Sequence, residues 1–215
     1  MDTKAQLAQL SEVSSRLLGN IIQLHGQVLA LSGASREPTT QDALNELFVQ
    51  PGADGAVKPL NPGEPVFPGF SFSFEKGAGC EANLVVLPNP AKTETNIIEV
   101  ELVDPGSSTW FTNEINARWP EVRRARRLDW SVTGSATKEL NCRAYLRGVD
   151  TEGKYHEFGS KTFQLPEHPA VVQSGFDILI PHTVRFNENA PPKFIVSFEL
   201  TSFKVTLEYL SLQFS

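Results

Sequence analysis

Apolar side chains in the first 31 residues recur at alternating spacings of three and four, the heptad pattern of a coiled-coil seam. The seam consists of Leu7, Leu10, Leu17, Ile21, Leu24, Val28 and Leu31. Ser14 takes the remaining inner position, and the flanking positions carry residues such as Val13 and Leu18 instead of Glu/Lys pairs. This wide apolar surface predicts a homo-oligomer and favours a trimer over a dimer. The alternative is an amphipathic helix packed on its own domain.

The heptad ends at Leu31, where small and breaking residues follow, and residues 39–42 then form a start signal for a second helix. We predict this short helix over Thr40–Val49. Residues 50–65 are rich in proline and glycine, which indicates an extended linker. The predicted organisation is a helical oligomerisation stem at residues 1–49, a linker at 50–65 and a β-domain at 66–215.

From residue 66 to the end the hydrophobic period is two, as in strands with one buried face. Phe70, Phe72 and Phe74, for example, alternate with polar residues. The predicted strands are 70–75, 83–87, 98–103, 110–118, 128–133, 139–149, 155–165, 176–180, 194–200 and 203–214. Turn signals separate them without a helical pattern, so the chain is predicted to be mainly β. The expected fold is an antiparallel, jelly-roll-like β-sandwich head on a coiled-coil stem, with a closed barrel as the alternative.

Charge and composition argue against several classes of function. The 215 residues carry a net charge of -6, which is unlike a surface shaped throughout for nucleic acid or an anionic membrane. The sequence has no apolar run of the roughly 18 residues that a membrane span needs. Its start lacks the basic and apolar regions of a secretory signal, so we expect synthesis in the cytosol without a signal peptide.

Motifs for cofactors and catalysis are missing as well, since nucleotide, zinc-protease and serine-hydrolase patterns do not occur. The sequence therefore predicts no cofactor and no metal site. Cys80 and Cys142 lie too far apart for a zinc or disulfide framework, so we expect two reduced thiols, with a bridge between them as the alternative. Glu99 and Glu101 share one strand face, from which paired carboxylates can act on a sugar bond, although a solvated face has the same pattern.

Basic and aromatic residues concentrate between residues 110 and 130, in a chain that is otherwise acidic. Guanidinium groups bind carboxylate, sulfate or phosphate, and indole rings stack on sugars or bases, so an acidic polysaccharide would use both. The predicted ligand-contact residues are Trp110, Trp119, Arg123, Arg124, Arg126 and Arg127. Two other interpretations stay open: core tryptophans beside a solvated arginine loop, and arginines paired with acidic residues of a neighbouring subunit. The net charge makes nucleic acid the less favoured ligand.

Two further passages, Leu128–Gly134 and Cys142–Tyr155, combine a strand that holds a tryptophan, a long strand and an Asp-x-x-Gly hairpin at residues 150–153. They resemble the central strands of carbohydrate-binding jelly rolls. Together with the heptad segment, the layout resembles bacteriophage fibre and receptor-binding proteins, in which a coiled coil carries a β-sandwich head.

This resemblance implies a non-enzymatic virion appendage, such as a fibre, spike or baseplate component. The N-terminal helix would assemble the chain and dock it to other virion proteins, and the head would contact a partner protein or a surface polysaccharide. The alternatives are a carbohydrate-binding module-like protein without a virion role and, less favoured, a glycan-cleaving enzyme that uses Glu99 or Glu101.

Overall fold

The structure is a computed structural model that describes residues 39–49, 55–91 and 95–215. The predicted coiled-coil seam from Leu7 to Leu31 lies outside the described residues, as does the start of the predicted linker. One compact unit extends from Thr39 to Ser215.

Twelve strands and two helices make up this unit in the described part of the chain. The strands are β1 (Lys58–Pro59), β2 (Pro65–Phe67), β3 (Phe70–Phe74), β4 (Glu81–Pro88), β5 (Asn96–Asp104), β6 (Phe111–Asn116), β7 (Arg127–Ala136), β8 (Leu140–Val149), β9 (Tyr155–Leu165), β10 (Ala170–Asp177), β11 (Lys193–Phe198) and β12 (Phe203–Phe214). The helices are α1 (Thr40–Val49) and α2 (Trp119–Arg124). In the part of the chain that the structure describes, neither helix is long and apolar enough to cross a membrane.

The strands form two six-stranded antiparallel sheets. Sheet A has the order β1-β4-β5-β12-β7-β10, and sheet B has the order β2-β3-β6-β11-β8-β9. The predicted antiparallel β-sandwich is therefore confirmed.

Alternate side chains of the strands fill the space between the sheets, as the period of two requires. In β3, Phe70, Phe72 and Phe74 are buried and the serines between them are half-buried. Phe111 of β6 stacks on Phe72 and Phe74, with ring centroids 6.0 Å and 5.7 Å apart. Phe194 and other inward residues of β11 complete this part of the core. Sheet B thus contributes a dense layer of phenylalanine rings.

Strands form at or near the predicted positions, with two main differences, and helix α2 lies between β6 and β7, where the sequence predicted no helix. β10 begins at Ala170 rather than at Phe176, because residues 170–177 pair with β7 along their whole length. The short strands β1 and β2 lie at sheet edges within the proline-rich stretch, where no alternating pattern marks them. Leu60, which follows β1, bonds to the Ala82 carbonyl at 2.8 Å and packs against the core. Part of the predicted linker is therefore built into the sandwich.

The sandwich has two long edge strands and two short ones. The short edges are the two-residue β1 and the three-residue β2, each of which contains a proline. The long edges are β10 of sheet A and β9 of sheet B, which pack against each other. Gly159 of β9 allows this close approach, since a Cβ atom there would lie 2.5 Å from the carbonyl oxygen of Asp177. Leu179 then donates its N–H to the Phe158 carbonyl at 2.7 Å.

Helix α1 forms over the predicted residues, and two sets of hydrogen bonds hold its start. The Thr39 N–H donates to the Asp42 carboxylate at 2.6 Å, and the Asp42 N–H donates to the Thr39 hydroxyl at 3.2 Å, which is a capping box. The Glu121 carboxylate of α2 accepts the Thr40 N–H at 3.1 Å and also the Thr40 hydroxyl proton. The N-terminus of α1 is therefore fixed by its own residues and by a distant side chain.

The apolar side of α1 is buried against sheet A. Leu44, Leu47 and Phe48 are 2–3% exposed, and the Phe48 ring lies 6.3 Å from that of Tyr209 in β12. Because this side is part of the sandwich core, the helix belongs to the compact unit that begins at Thr39. The predicted boundary at residue 49 differs from the start of this unit, because the packing of the short helix depends on residues far along the chain, such as Tyr209.

Candidate functional site

Trp119, a predicted ligand-contact residue, is a core residue. It is the first residue of α2, 6% exposed, and packs between Phe158 and Phe186 at ring-centroid distances of 6.1 Å and 5.2 Å. Its indole N–H donates to the Ala190 carbonyl at 2.9 Å. The short helix turns this ring inward, so Trp119 cannot offer its face to a ligand, and the prediction for this residue is corrected.

Trp110 is surface-exposed but lies apart from the other predicted residues. It precedes β6 and is 38% exposed, whereas α2 begins after the opposite end of β6. Six strand residues separate the two points, which corresponds to about 20 Å at 3.3 Å per residue. The structure therefore does not join Trp110 to the arginines in one contact surface.

The four predicted arginines lie on and after α2, and two of them bind carboxylates of the same chain. Arg123 pairs with Glu188 and lies over the Trp119 ring at 5.3 Å. Arg127 binds Asp129 at 2.8 Å and Asp177 at 3.4 Å. A hydrogen bond and the charge of Asp129 raise the pKa of Arg127.

Arg124 and Arg126 are exposed on the same surface. What remains of the predicted site is a small basic surface without an exposed tryptophan beside it. Guanidinium groups alone bind anions but give no stacking plane for a sugar.

The carboxylates and thiols considered from the sequence are not arranged as a reactive cluster. Glu99 and Glu101 share the outward side of sheet A, and Glu99 is bound to Lys204 at 2.5 Å. Cys80 and Cys142 are free thiols, and burial raises the pKa of Cys142 to about 12, which keeps it protonated and unreactive. Among the described residues no group of three or more His, Cys, Asp or Glu side chains is placed to hold a metal ion.

The outward side of sheet B, called face B below, carries a denser set of polar and aromatic side chains. Register places Glu114 of β6, Ile195 of β11, Tyr145 of β8 and Ser160 of β9 in one row across the sheet. The row on one side of it contains Arg143 of β8. The row on the other side contains Arg147 of β8 and Glu157 of β9. All of these residues point away from the phenylalanine core.

A bulge in β9 determines which residues reach face B. The register shifts between Leu146 and Arg147, so that Arg147 pairs with Glu157 and Val149 pairs with Tyr155. Because of this extra residue, Tyr155 and Glu157 lie on the same side of the sheet as the later outward residues of β9. The bulge thereby adds a tyrosine and a carboxylate to face B.

The centre of face B is closed by an ion-paired cluster. Glu114 is 6% exposed, and its carboxylate binds Arg147 at 3.2 Å and Lys193 at 2.6 Å. Thr112 and Ile195, which also point outward here, are 4% and 0% exposed. The middle of β6 and the middle of β11 are therefore not accessible to a ligand, whereas Asn116 at the end of β6 is exposed.

The side of face B formed by β8 and β9 is open and rich in hydrogen-bonding groups. Arg143 donates to the Glu157 carboxylate at 2.6 Å and 2.8 Å. Asn141 donates to Glu199 at 2.8 Å, and Gln164 donates to Asn141 at 3.1 Å. An open groove of about 690 Å³ is lined by Asn141, Arg143, Gln164 and Glu199 of this network. Guanidinium, carboxamide and carboxylate groups thus present both donors and acceptors at the surface.

Two tyrosine rings lie beside arginines of face B. The Arg143 guanidinium lies 5.1 Å from the Tyr145 ring centroid, and the Arg147 guanidinium lies 4.3 Å from that of Tyr155. Tyr145 is half-buried, and burial raises the pKa of its hydroxyl, which therefore keeps its proton at neutral pH. Tyr155 is 61% exposed. Face B therefore has both planar side chains that form hydrogen bonds and an exposed aromatic surface.

A second open groove, of about 580 Å³, lies on sheet A between β7, β10 and β12. Its polar lining includes Asp129, Lys161, Gln173 and Gln213. The aromatic residue beside it, Trp130, is 3% exposed and directed into the core, where it packs on a β9 ring. This groove therefore lacks the aromatic surface that face B provides.

The face B residues were not predicted as a site, although they lie in the passage that resembles carbohydrate-binding jelly rolls. The signal present in the sequence is the alternation of Asn141, Arg143, Tyr145 and Arg147 along one strand. Such alternation also describes an ordinary solvated strand face. The partners that turn these residues into a network come from β6, β9 and the residue after β11, which no local pattern connects.

Comparisons with known proteins give structural similarity without a family. No family model matches the sequence, and no curated protein matches it. The chain is similar to a solved family 11 carbohydrate-binding module from Clostridium thermocellum in complex with a beta-1,3-1,4-mixed-linked tetrasaccharide. The sequence identity is 10% and the TM-score is 0.45, and the match covers 74% of this chain and 96% of that one. The N-terminal cellulose-binding domain of Cellulomonas fimi beta-1,4-glucanase C gives 14% identity, a TM-score of 0.43, and coverage of 68% and 89%.

A tailspike domain is similar at the same level. The enzymatically active domain of tailspike protein 4 from bacteriophage CBA120 gives 10% identity and a TM-score of 0.43, and the match covers 68% of this chain but 19% of that one. At these identities and TM-scores, the similarities do not place the chain in a family.

Proposed function

We propose that this protein is a non-catalytic carbohydrate-binding protein whose glycan binds on the β8–β9 side of face B. The observation that carries the proposal is the open network of Asn141, Arg143 and Gln164 on the same face as two tyrosine rings. Tyr145 lies beside Arg143, and Tyr155 lies farther along the strands beside Arg147. A sugar presents hydroxyl groups that need donors and acceptors at once, and C–H surfaces that stack on aromatic rings. Face B supplies both kinds of contact on one rigid sheet.

The charges of face B favour a neutral glycan. Each cation of the network, Arg143, Arg147 and Lys193, already binds a carboxylate of the same face. An acidic sugar would have to displace those carboxylates or lie beside them, which costs free energy. A neutral sugar can accept and donate hydrogen bonds without breaking the pairs. We therefore propose a neutral polysaccharide rather than the acidic one that the arginine-rich sequence suggested.

The test is affinity electrophoresis of the full chain in gels that contain neutral polysaccharides (mixed-linkage β-glucan, xylan, galactomannan) or acidic ones (alginate, polygalacturonate). We expect a neutral polysaccharide to retard the protein. Gln164→Ala in β9 should weaken that binding about fivefold, the equivalent of one hydrogen bond. Gln173→Ala in β10 is the matched control, because this exposed glutamine lines the groove of sheet A instead.

Three results would contradict the proposal. The first is that no polysaccharide of the panel retards the protein. The second is that Gln173→Ala, and not Gln164→Ala, weakens binding, which would move the site to sheet A. The third is that an acidic polysaccharide alone binds and that Arg124→Ala removes the binding, which would assign the site to the basic surface after α2.

Self-association through the heptad is part of the same proposal and is supported by the sequence pattern alone. Leu24→Asp would place an unpaired charge on every helix of the predicted coiled coil, at its apolar seam. Light scattering on a sizing column should show an oligomer for the wild type and a smaller species for this variant. The virion role, with docking to other virion proteins, depends on the same heptad and stays a prediction, as does synthesis without a signal peptide.

A further inference from the structure

We infer that the glycan lies lengthwise along β8 and β9, so that face B binds an extended run of sugar units rather than a single terminal sugar. This inference rests on the proposed function, because it concerns the direction and length of the ligand at the same site.

Accessibility gives the direction. On β8 and β9 the outward residues Asn141, Arg143, Thr162 and Gln164 are exposed, and Tyr145 is half-buried. Across the sheet, by contrast, Thr112 and Glu114 of β6 and Ile195 of β11 are buried. A ligand that ran across the middle of the strands would contact exposed side chains on β8 and β9 but not on β11 and β6. A ligand that follows the strands meets exposed or half-buried outward side chains over the whole length of β8 and β9.

Strand length gives the extent of the track. One end is the cluster of Asn141, Gln164 and Glu199, and the other end is Tyr155, which pairs with Val149. Eight residue intervals of β8 separate these ends, which corresponds to about 26 Å at 3.3 Å per residue. A single sugar ring is much smaller than this distance, so one sugar unit cannot contact both ends.

The Tyr155 end is built as a rigid platform. Arg147 covers one side of the ring at 4.3 Å and is itself held by the buried carboxylate of Glu114. The Nε atom of Arg147 is buried and has no hydrogen-bond partner among the described residues, so the ion pair and the ring fix its position. Tyr155 remains 61% exposed, and its free surface therefore lies on the side away from the guanidinium. Because Arg147 holds the ring in place, Tyr155 can stack on a sugar without a change in its own conformation.

The test is calorimetry of the full chain with cello-oligosaccharides and xylo-oligosaccharides of two to six units. Wild-type affinity should rise with chain length in the series that binds. Tyr155→Ala and Gln164→Ala should each lower the affinity for the hexasaccharide by about five- to tenfold. A disaccharide cannot span the track, so at most one of the two substitutions should change its affinity.

Ser73→Ala is the control for the other direction, because Ser73 lies on face B at β3, across the strands from Arg143. It should leave hexasaccharide affinity unchanged. Urea midpoints of all three variants equal to that of the wild type show that the fold is intact.

The outcomes separate the two proposals. Affinity that does not depend on length, or equal losses for the disaccharide in both variants, would overturn the lengthwise track while face B stays the site. A loss in Ser73→Ala with none in Tyr155→Ala would mean that the ligand crosses the strands. Failure of every oligosaccharide and polysaccharide to bind would overturn the proposed function itself, and the track with it.

Discussion

Replacement of the two tryptophans that the sequence grouped together should have very different effects on stability. Trp119→Ala removes a ring that is 6% exposed, packs on Phe158 and Phe186, lies under Arg123 and donates a hydrogen bond at 2.9 Å. Trp110→Ala is the matched substitution at a site that is 38% exposed. The comparison tests whether Trp119 is a core residue or a ligand-contact residue.

The magnitude follows from burial. A tryptophan side chain buries about 150–250 Å², which is worth about 4–6 kcal/mol at 25 cal/mol per Å². Partial relaxation of the cavity offsets some of this loss, so we expect Trp119→Ala to cost about 3–5 kcal/mol of unfolding free energy. The exposed Trp110 should contribute less than about 1 kcal/mol. The two variants should therefore differ by several kcal/mol.

The assay is urea unfolding followed by far-UV circular dichroism, with all proteins at one concentration because an oligomer unfolds in a concentration-dependent way. At a urea m-value of about 2.5 kcal/mol per M, the midpoint of Trp119→Ala should fall by roughly 1–2 M. Trp110→Ala should unfold close to the wild type. A Trp119→Ala midpoint within experimental error of the wild type would refute the packing argument. Trp119 would then be interpreted as a surface residue again.

Acid should destabilise the β8–β9 hairpin, because a hydrogen bond from His156, together with backbone N–H groups, lowers the pKa of Asp150. A carboxyl with a lowered folded pKa stabilises the fold above its unfolded pKa of about 3.9, and this stabilisation is lost as pH falls through the folded value. Urea midpoints of the wild type and Asp150→Asn should therefore differ at neutral pH and converge in acid, and a constant difference would contradict the argument. Gly148→Ala should cost about 1–3 kcal/mol, since a Cβ atom there would lie 2.7 Å from two buried aromatic rings; an unchanged urea midpoint would show that the rings can move. Glu121→Ala should speed amide exchange in α1 about fivefold, whereas Glu46→Ala on the exposed side of that helix should not, and equal effects would mean that the helix start does not depend on α2.

Much of the fold could be predicted because its strands each have one buried side. In β3 and β5, residues such as Phe72 and Ile98 alternate with polar ones, and the local pattern alone identifies a strand. The first half of β10 did not show this contrast, since valines occupy both sides there, and Val171 is 46% exposed. The membership of α1 in the sandwich was not predictable either, because it depends on Tyr209 and Glu121, which lie far along the chain.

The candidate site depends even more on long-range register. Glu114 and Arg147 are 33 residues apart and meet because β11 lies between their strands. The bulge that brings Tyr155 to face B inverts the alternation within β9, so a reader of the sequence would place this tyrosine on the wrong side. Conversely, Trp119 looked like a surface residue because its neighbours are arginines, and nothing local shows that a short helix directs it inward.

The edges of the sandwich also bear on how the protein behaves at high concentration. An unpaired strand edge offers a row of N–H and C=O groups onto which a strand of another molecule can add. Here the long edge strands β9 and β10 face each other, and the short edges each hold a proline, which lacks the N–H. In the described part of the chain, the short edges therefore offer little backbone onto which a strand of another molecule could add. High local concentrations of this unit should therefore not promote sheet formation through its short edges.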